Sequence, residues 1–209
     1  MKGARHVMPQ LQRGLALVIC LVLLAAVMIF GAAAANIATE GEKGARAERD
    51  RQLAFHAAQA ALRDAELDIE ASPDPARSRS IAFAQPGPAT FIAGCGAGDD
   101  NLAQGLCQPA DAGIPVWASV DLLDQGRATA RTVAYGRFTG RTLATGLASL
   151  PARLPRYIIE LLPYRLPGAA ADGEGDSWLF RITAIGFGAN PSTHVVLQSH
   201  YRREASCCG

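Results

Sequence analysis

The sequence lacks the motifs from which reactive sites are usually built. Gly140 to Gly146 contains no Gly-Lys-Ser/Thr step, so it cannot serve as a phosphate loop. Ser192, Ser199 and Ser206 stand near histidines, but no nucleophile elbow presents any of them. His194 and His200 share strand parity without a carboxylate or thiol in the local pattern to complete a metal site. Cys207 and Cys208 are adjacent, lacking the two-residue spacer and neighbouring histidine of a structural zinc site. They could bridge each other, pair with another chain or stay free. Asp172, Glu174 and Asp176 could hold a hard cation, yet their spacing does not match known calcium loops and a solvated turn explains them. Charge is equally sparse: 20 basic residues face 19 acidic ones, a net +1, with no basic footprint for nucleic acid. The expectation is a chain that is not an enzyme, with no catalytic residue, cofactor or metal.

The most informative absence is local. Leu15 to Thr39 contains no Asp, Glu, Lys or Arg, and at about 1.5 Å per residue it makes a helix long enough to cross a hydrocarbon core of about 30 Å. Lys2, Arg5 and Arg13 precede the run, whereas Glu40 and Glu42 come directly after it. The basic flank should stay cytoplasmic and residues 40–209 should emerge on the other side. A plain anchor would suit this pattern, and so would a cleaved signal ending near Ala33 to Ala35, although the run is long for an h-region.

The segment beyond the span is not a linker. Residues 45–71 are rich in Ala, Arg, Glu, Gln and Leu, all good helix formers. Phe55, Ala58, Leu62, Ala65 and Ile69 recur at spacings of three or four and form the expected packing face, with Arg51, Gln59, Arg63, Asp64, Glu66 and Asp68 mostly elsewhere. Joined to the span, the helix would run from 15 to 71, roughly 85 Å. Gly41 and Gly44 are its weak points, and Ser72-Pro73-Asp74-Pro75 stops it.

The stretches QRGLALVICLVLL and ERDRQLAFHAAQAALRDAE resemble the N-terminal module of PilX, a minor pilin family of type IV pili. RYIIELL, LFRITAIGFG and VVLQSHY are similar to the family's C-terminal strands. The resemblance implies a type IV pilin-like α+β fold, a long N-terminal helix packed on a C-terminal antiparallel sheet. It divides the chain into a leader (1–14), the helix (15–71; 15–39 transmembrane, 45–71 amphipathic) and a periplasmic globular head (72–209). It also implies cleavage after Gly14 and methylation of Leu15. The mature charge would be about −2, giving no pull toward nucleic acid. Most pilins carry Glu as the fifth mature residue; here that residue is Ile19. A carboxylate in hydrocarbon is costly unless paired, so Ile19 removes both a cost and a docking contact, as suits a subunit that starts a fibre at its tip. The implied partners are other minor pilins, major pilin, a large tip adhesin and the inner-membrane assembly machinery. The implied location is a single-pass inner-membrane protein that later joins the pilus at the cell surface.

The body after the helix suffices for one modest core. Short strands are expected around Ile81–Phe83, Thr90–Ile92 and Val116–Val120, amid Gly- and Pro-rich loops. Three longer strands lie toward the C-terminus: Tyr157 to Leu162, closed by Pro163; one presenting Trp178, Phe180, Ile182 and Ala184 on a single face; and one containing Val195, Leu197 and Tyr201. Cys95 and Cys107 lie 12 apart in a Gly-rich segment outside the inner membrane and are expected to form a disulfide; Cys20 is an apolar filler of the span. The rival readings are a tip pseudopilin of type II secretion, which would carry a large helical insertion, and a membrane-tethered periplasmic binding module.

Overall fold

The computed structural model describes residues 13–84, 86–87, 89–110, 112–146, 149–164 and 177–203. It comprises two compact units, residues 1–48 and 49–209. Helix α1 (Arg13–Glu70) contributes to both. Gly14, the expected cleavage position, falls within this helix, whereas Asp172 to Asp176, Ser206, Cys207 and Cys208 lie outside the described residues.

In the second unit, the last turns of α1 form one layer and a six-stranded sheet the other. The strands are β1 (Ile92–Ala93), β2 (Leu106–Gln108), β3 (Val133–Ala134), β4 (Arg156–Tyr164), β5 (Ser177–Phe187) and β6 (His194–Tyr201). β4, β5 and β6 are the antiparallel meander expected from their alternation, with Ile159 opposite Ile182 and Ala184 opposite Leu197. The sheet as a whole is mixed: β1 runs parallel to β2, and β2 parallel to β4. β2 and the antiparallel β3 occupy different stretches of β4, at Ile159–Glu160 and Arg156–Tyr157.

Pro163, expected to end its strand, instead pairs with Trp178 inside β4. It lies beyond the stretch where β2 and β3 attach, so no strand among the described residues pairs with that edge of β4, where a residue without an amide proton is tolerated. Two expected strands are short helices: α2 (Ile81–Ala84) and α3 (Val116–Ser119). Apolar runs this short fit either period. Pro115, with φ −57° at the N-cap of α3, favours the helical turn, and Val116 and Val120, four apart, both become buried. Of Thr90–Ile92, only Ile92 is in a strand.

Apolar side chains fill both sides of the sheet. Between α1 and the sheet lie Ala61, Ala65, Ile69, Phe83, Phe91, Tyr157, Ile159, Phe180 and Ile182. The rings of Phe83, Phe91 and Phe180 meet at centroid distances of 5.6 to 6.2 Å. A smaller cluster of Cys95, Cys107, Val116, Val120 and Ile158 includes side chains from the opposite face of β4.

The packing face of α1 is rotated from the expected one. Ala58, Ala65 and Ile69 are fully buried, but Leu62 is half-buried at the margin and Phe55 is 39% exposed. Gly186 explains the shift. A Cβ there would stand 2.2 Å from the Ala54 carbonyl oxygen and 2.2 Å from the Ala58 nitrogen. The backbones of α1 and β5 are therefore in contact, and Ala54, Ala57, Ala58 and Ala61 occupy the centre where a Phe would hold the layers apart. Gly186→Ala should lower stability by about 3 kcal/mol or more, because only main-chain movement can relieve the overlap. Arg63→Ala, on the exposed side of the same helix, should change it by roughly 0.5 kcal/mol or less. Denaturant titration of the detergent-solubilised chain measures both, and equal midpoints would contradict the close contact.

Candidate functional site

Among its described residues, the first unit carries apolar surface without a core. Leu15, Leu17, Val18, Leu21, Val27, Met28 and Phe30 are 55 to 74% exposed, and this part of α1 is long and apolar enough to cross a membrane. Each large side chain left in water forgoes about 1.5–3 kcal/mol of burial, so the segment requires lipid or other helices around it. Ile19, 50% exposed, offers a neighbour no charge. Cys20 is an exposed free thiol on the same stretch.

The second unit is held by polar groups that periodicity had assigned to the wet face. Asp64 and Asp68 are both fully buried. Asp68 accepts hydrogen bonds from Arg79 Nε at 3.1 Å and Nη2 at 2.7 Å, and from the Tyr157 hydroxyl at 2.9 Å. Arg79 also donates to the carbonyls of Leu102 and Gln104, at 2.8 and 2.6 Å, and lies 3.8 Å over the Phe138 ring. One guanidinium thus ties α1 to two carbonyls of the loop before β2 and to an aromatic ring. Asp64 accepts from the Gly136 amide at 2.7 Å and from the Thr139 hydroxyl. Burial raises its pKa above the ordinary 3.8, with both hydrogen bonds opposing the rise. Their separation of four residues places both aspartates on one side of a helix. What was missing from the sequence was a sign that Arg79, eleven residues beyond Asp68, would return to meet it, and that Gly136 and Thr139 would meet Asp64.

Other polar contacts brace the outer parts. Glu160, buried, and Arg181 face each other on β4 and β5 in a bidentate pair at 2.7 and 2.8 Å, which raises the Arg181 pKa. Arg156 donates to Thr132 Oγ1 and to the Thr132 carbonyl, both at 2.6 Å. Asp50 accepts from the amides of Ala189 and Asn190 in the β5–β6 turn, at 2.6 and 3.2 Å. Cys95 and Cys107 are disulfide-bonded. His194 and His200 are exposed on β6. Among the described residues, no group of three or more His, Cys, Asp or Glu side chains is placed to hold a metal ion.

Burial and the Asp68 carboxylate push the Tyr157 phenol well above its usual 10.0. The folded state therefore retains this proton at pH values where the unfolded chain loses it. The resulting stability is fully present below about pH 10 and fades as pH rises toward the folded pKa. Tyr157→Phe should cost about 1.5–3 kcal/mol at neutral pH through the lost hydrogen bond to a charged acceptor. It should also flatten the decline above about pH 10. Denaturation midpoints of both chains across that range provide the measurement, and parallel curves would mean that Tyr157 does not carry the alkaline sensitivity.

Two family models match the chain. One, described as PilX N-terminal, covers residues 13–63; the other, described as type IV pilus assembly protein PilX C-term, covers residues 103–203. No curated protein and no solved structure matches. The first match takes in the exposed apolar helix, and the second runs from the disulfide-bonded loop through the meander and includes Tyr157. With both halves present in order, the chain belongs to the PilX family of type IV pilus assembly proteins and is a minor pilin.

Proposed function

We propose that this minor pilin belongs to a small complex at the fibre tip and primes polymerisation of the major subunit. The observation that carries this reading is Ile19: the fifth residue after Gly14 has an exposed apolar side chain where a docking carboxylate would recruit a preceding subunit. An initiating subunit has no predecessor to recruit. The chain would be cut after Gly14 and methylated at Leu15, freeing an apolar terminus to leave lipid only among other helices. Residues 72–209 would form the periplasmic head and residues 15–71 the helix. The partners would be other minor pilins, major pilin, a large tip adhesin and the inner-membrane machinery. The assembled protein would be displayed at the cell surface in a structural rather than catalytic role.

Two rivals fit less well. A tip pseudopilin would carry a large helical insertion, yet helix among the described residues of 72–156 is confined to the four-residue α2 and α3. A tethered binding module would tolerate an unrelated span in place of residues 15–39, which a pilin would not.

Mass analysis of the membrane-extracted chain should find Leu15 as a methylated N-terminus; Met1 or Asn36 there would refute the processing. Cells deleted for the gene should still make and process major pilin but display few fibres. Immunolabelling of wild-type fibres should find this chain sparsely, near the ends. Abundant fibres after deletion, or label along their whole length, would contradict the tip role.

A further inference from the structure

Edge strands of soluble sheets are normally kept from pairing with foreign chains by being short, bulged, charged or interrupted by proline. One end of this sheet obeys the rule, since β1 is only two residues long. The other end does not. β6 is eight residues long, His194–Tyr201, and contains no Pro, Lys, Arg, Asp or Glu. It pairs with β5 continuously from His194 to Tyr201, and among the described residues β5 is the only strand it pairs with. The outer edge of His194–His200 therefore presents backbone donors and acceptors in strand register, the geometry to which an extended segment adds.

The two faces of β6 define the segment that would fit. His194, Val196, Gln198 and His200 are exposed on one face, polar except for Val196, and Arg202 lies just beyond. Arg181, whose charge is answered by Glu160, stands opposite His200 on β5, and no carboxylate lies in β6 or the two residues after it, His194 to Arg203. On the other face, Tyr201 hydrogen-bonds to Glu70, and Tyr201 and Leu62 each pack against the margin of the core. Phe55, Leu62 and Glu66 succeed one another along a single stripe of α1, at i, i+7 and i+11, so the side of the helix beside β6 carries the half-exposed Phe55.

We propose that β6 is a strand-acceptor edge: it takes an extended segment of another polypeptide, with apolar side chains toward the Phe55–Leu62 stripe alternating with acidic ones toward His200 and Arg202. This interaction needs no fibre and stands apart from the tip role.

Hydrogen–deuterium exchange on the full-length chain in detergent tests it. The probe is an acetylated and amidated peptide about eight residues long that alternates valine with glutamate, compared with the same peptide carrying lysine for glutamate. The glutamate peptide should slow exchange of amides within residues 195–200 by about tenfold or more, and the lysine peptide should not. In the double variant His200→Glu/Arg202→Glu, both sites being exposed, the preference should reverse while the free chain's exchange elsewhere is unchanged. Four results would overturn the proposal: no protection by either peptide, equal protection by both, outward amides of β6 already slow in the free monomer because the chain covers its own edge, or β6 protection that grows with protein concentration alone because a second copy is the occupant.

Discussion

Asp68 is the point on which the rest of the head depends. A carboxylate fully withdrawn from water is tolerated only when its lone pairs and charge are answered, and here Arg79 and Tyr157 answer them from the segment after the helix and from the central strand. Arg79 in turn satisfies two loop carbonyls. Removing either member of the Asp68–Arg79 pair would strand a buried charge, at a typical cost of about 3–5 kcal/mol. The poorly regular region between α1 and β4 has little strand pairing of its own, with β1, β2 and β3 contributing two, three and two residues. Polar ties therefore locate it where a more regular head would use strands.

The same economy operates at the helix–sheet contact. Alanines on α1 and Gly186 on β5 bring two backbones together, which leaves no room between them for large side chains. Bulk is displaced to the sides: the phenylalanine cluster under α2 and the half-exposed Phe55. Close packing in the middle and aromatic packing around it are one arrangement, since side chains of fixed volume must fill whatever space the backbones leave.

Much of this was readable in the residues, and the failures have physical causes. The meander was legible because β5 places an apolar residue at every second position from Trp178 to Ala184, with Phe180, Ile182 and Ala184 facing the helix layer. The helix was legible from propensity and from its stop at Ser72-Pro73. Its buried face was misjudged because hydrophobic periodicity weights Phe55 above Ala57 and Ala61 and treats every aspartate as wet. Neither rule knows about a glycine 132 residues from Ala54, nor about an arginine that returns to cover Asp68 and a loop that returns to cover Asp64. The parallel strands β1 and β2 escaped notice because two or three residues carry no period, and parallel pairing depends on a crossover rather than on local pattern. In the candidate site, Ile19 could be read directly as a departure at a fixed position, whereas the network around Asp68 depends on tertiary return.

The backbone at Cys95 constrains how this head can change over evolutionary time. It has φ +71°, the only left-handed residue other than glycine among those described, a conformation that typically costs an L-amino acid about 1–2 kcal/mol. The bridge to Cys107 holds the residue in place and forms part of the small cluster with Val116, Val120 and Ile158. If a lineage lost Cys107, the thiol left at position 95 would keep the strained backbone without the cross-link. Relatives that dispense with the bridge should then carry glycine or asparagine at this position, residues that adopt the turn most readily, and the pair should be gained or lost together rather than by drift at one end.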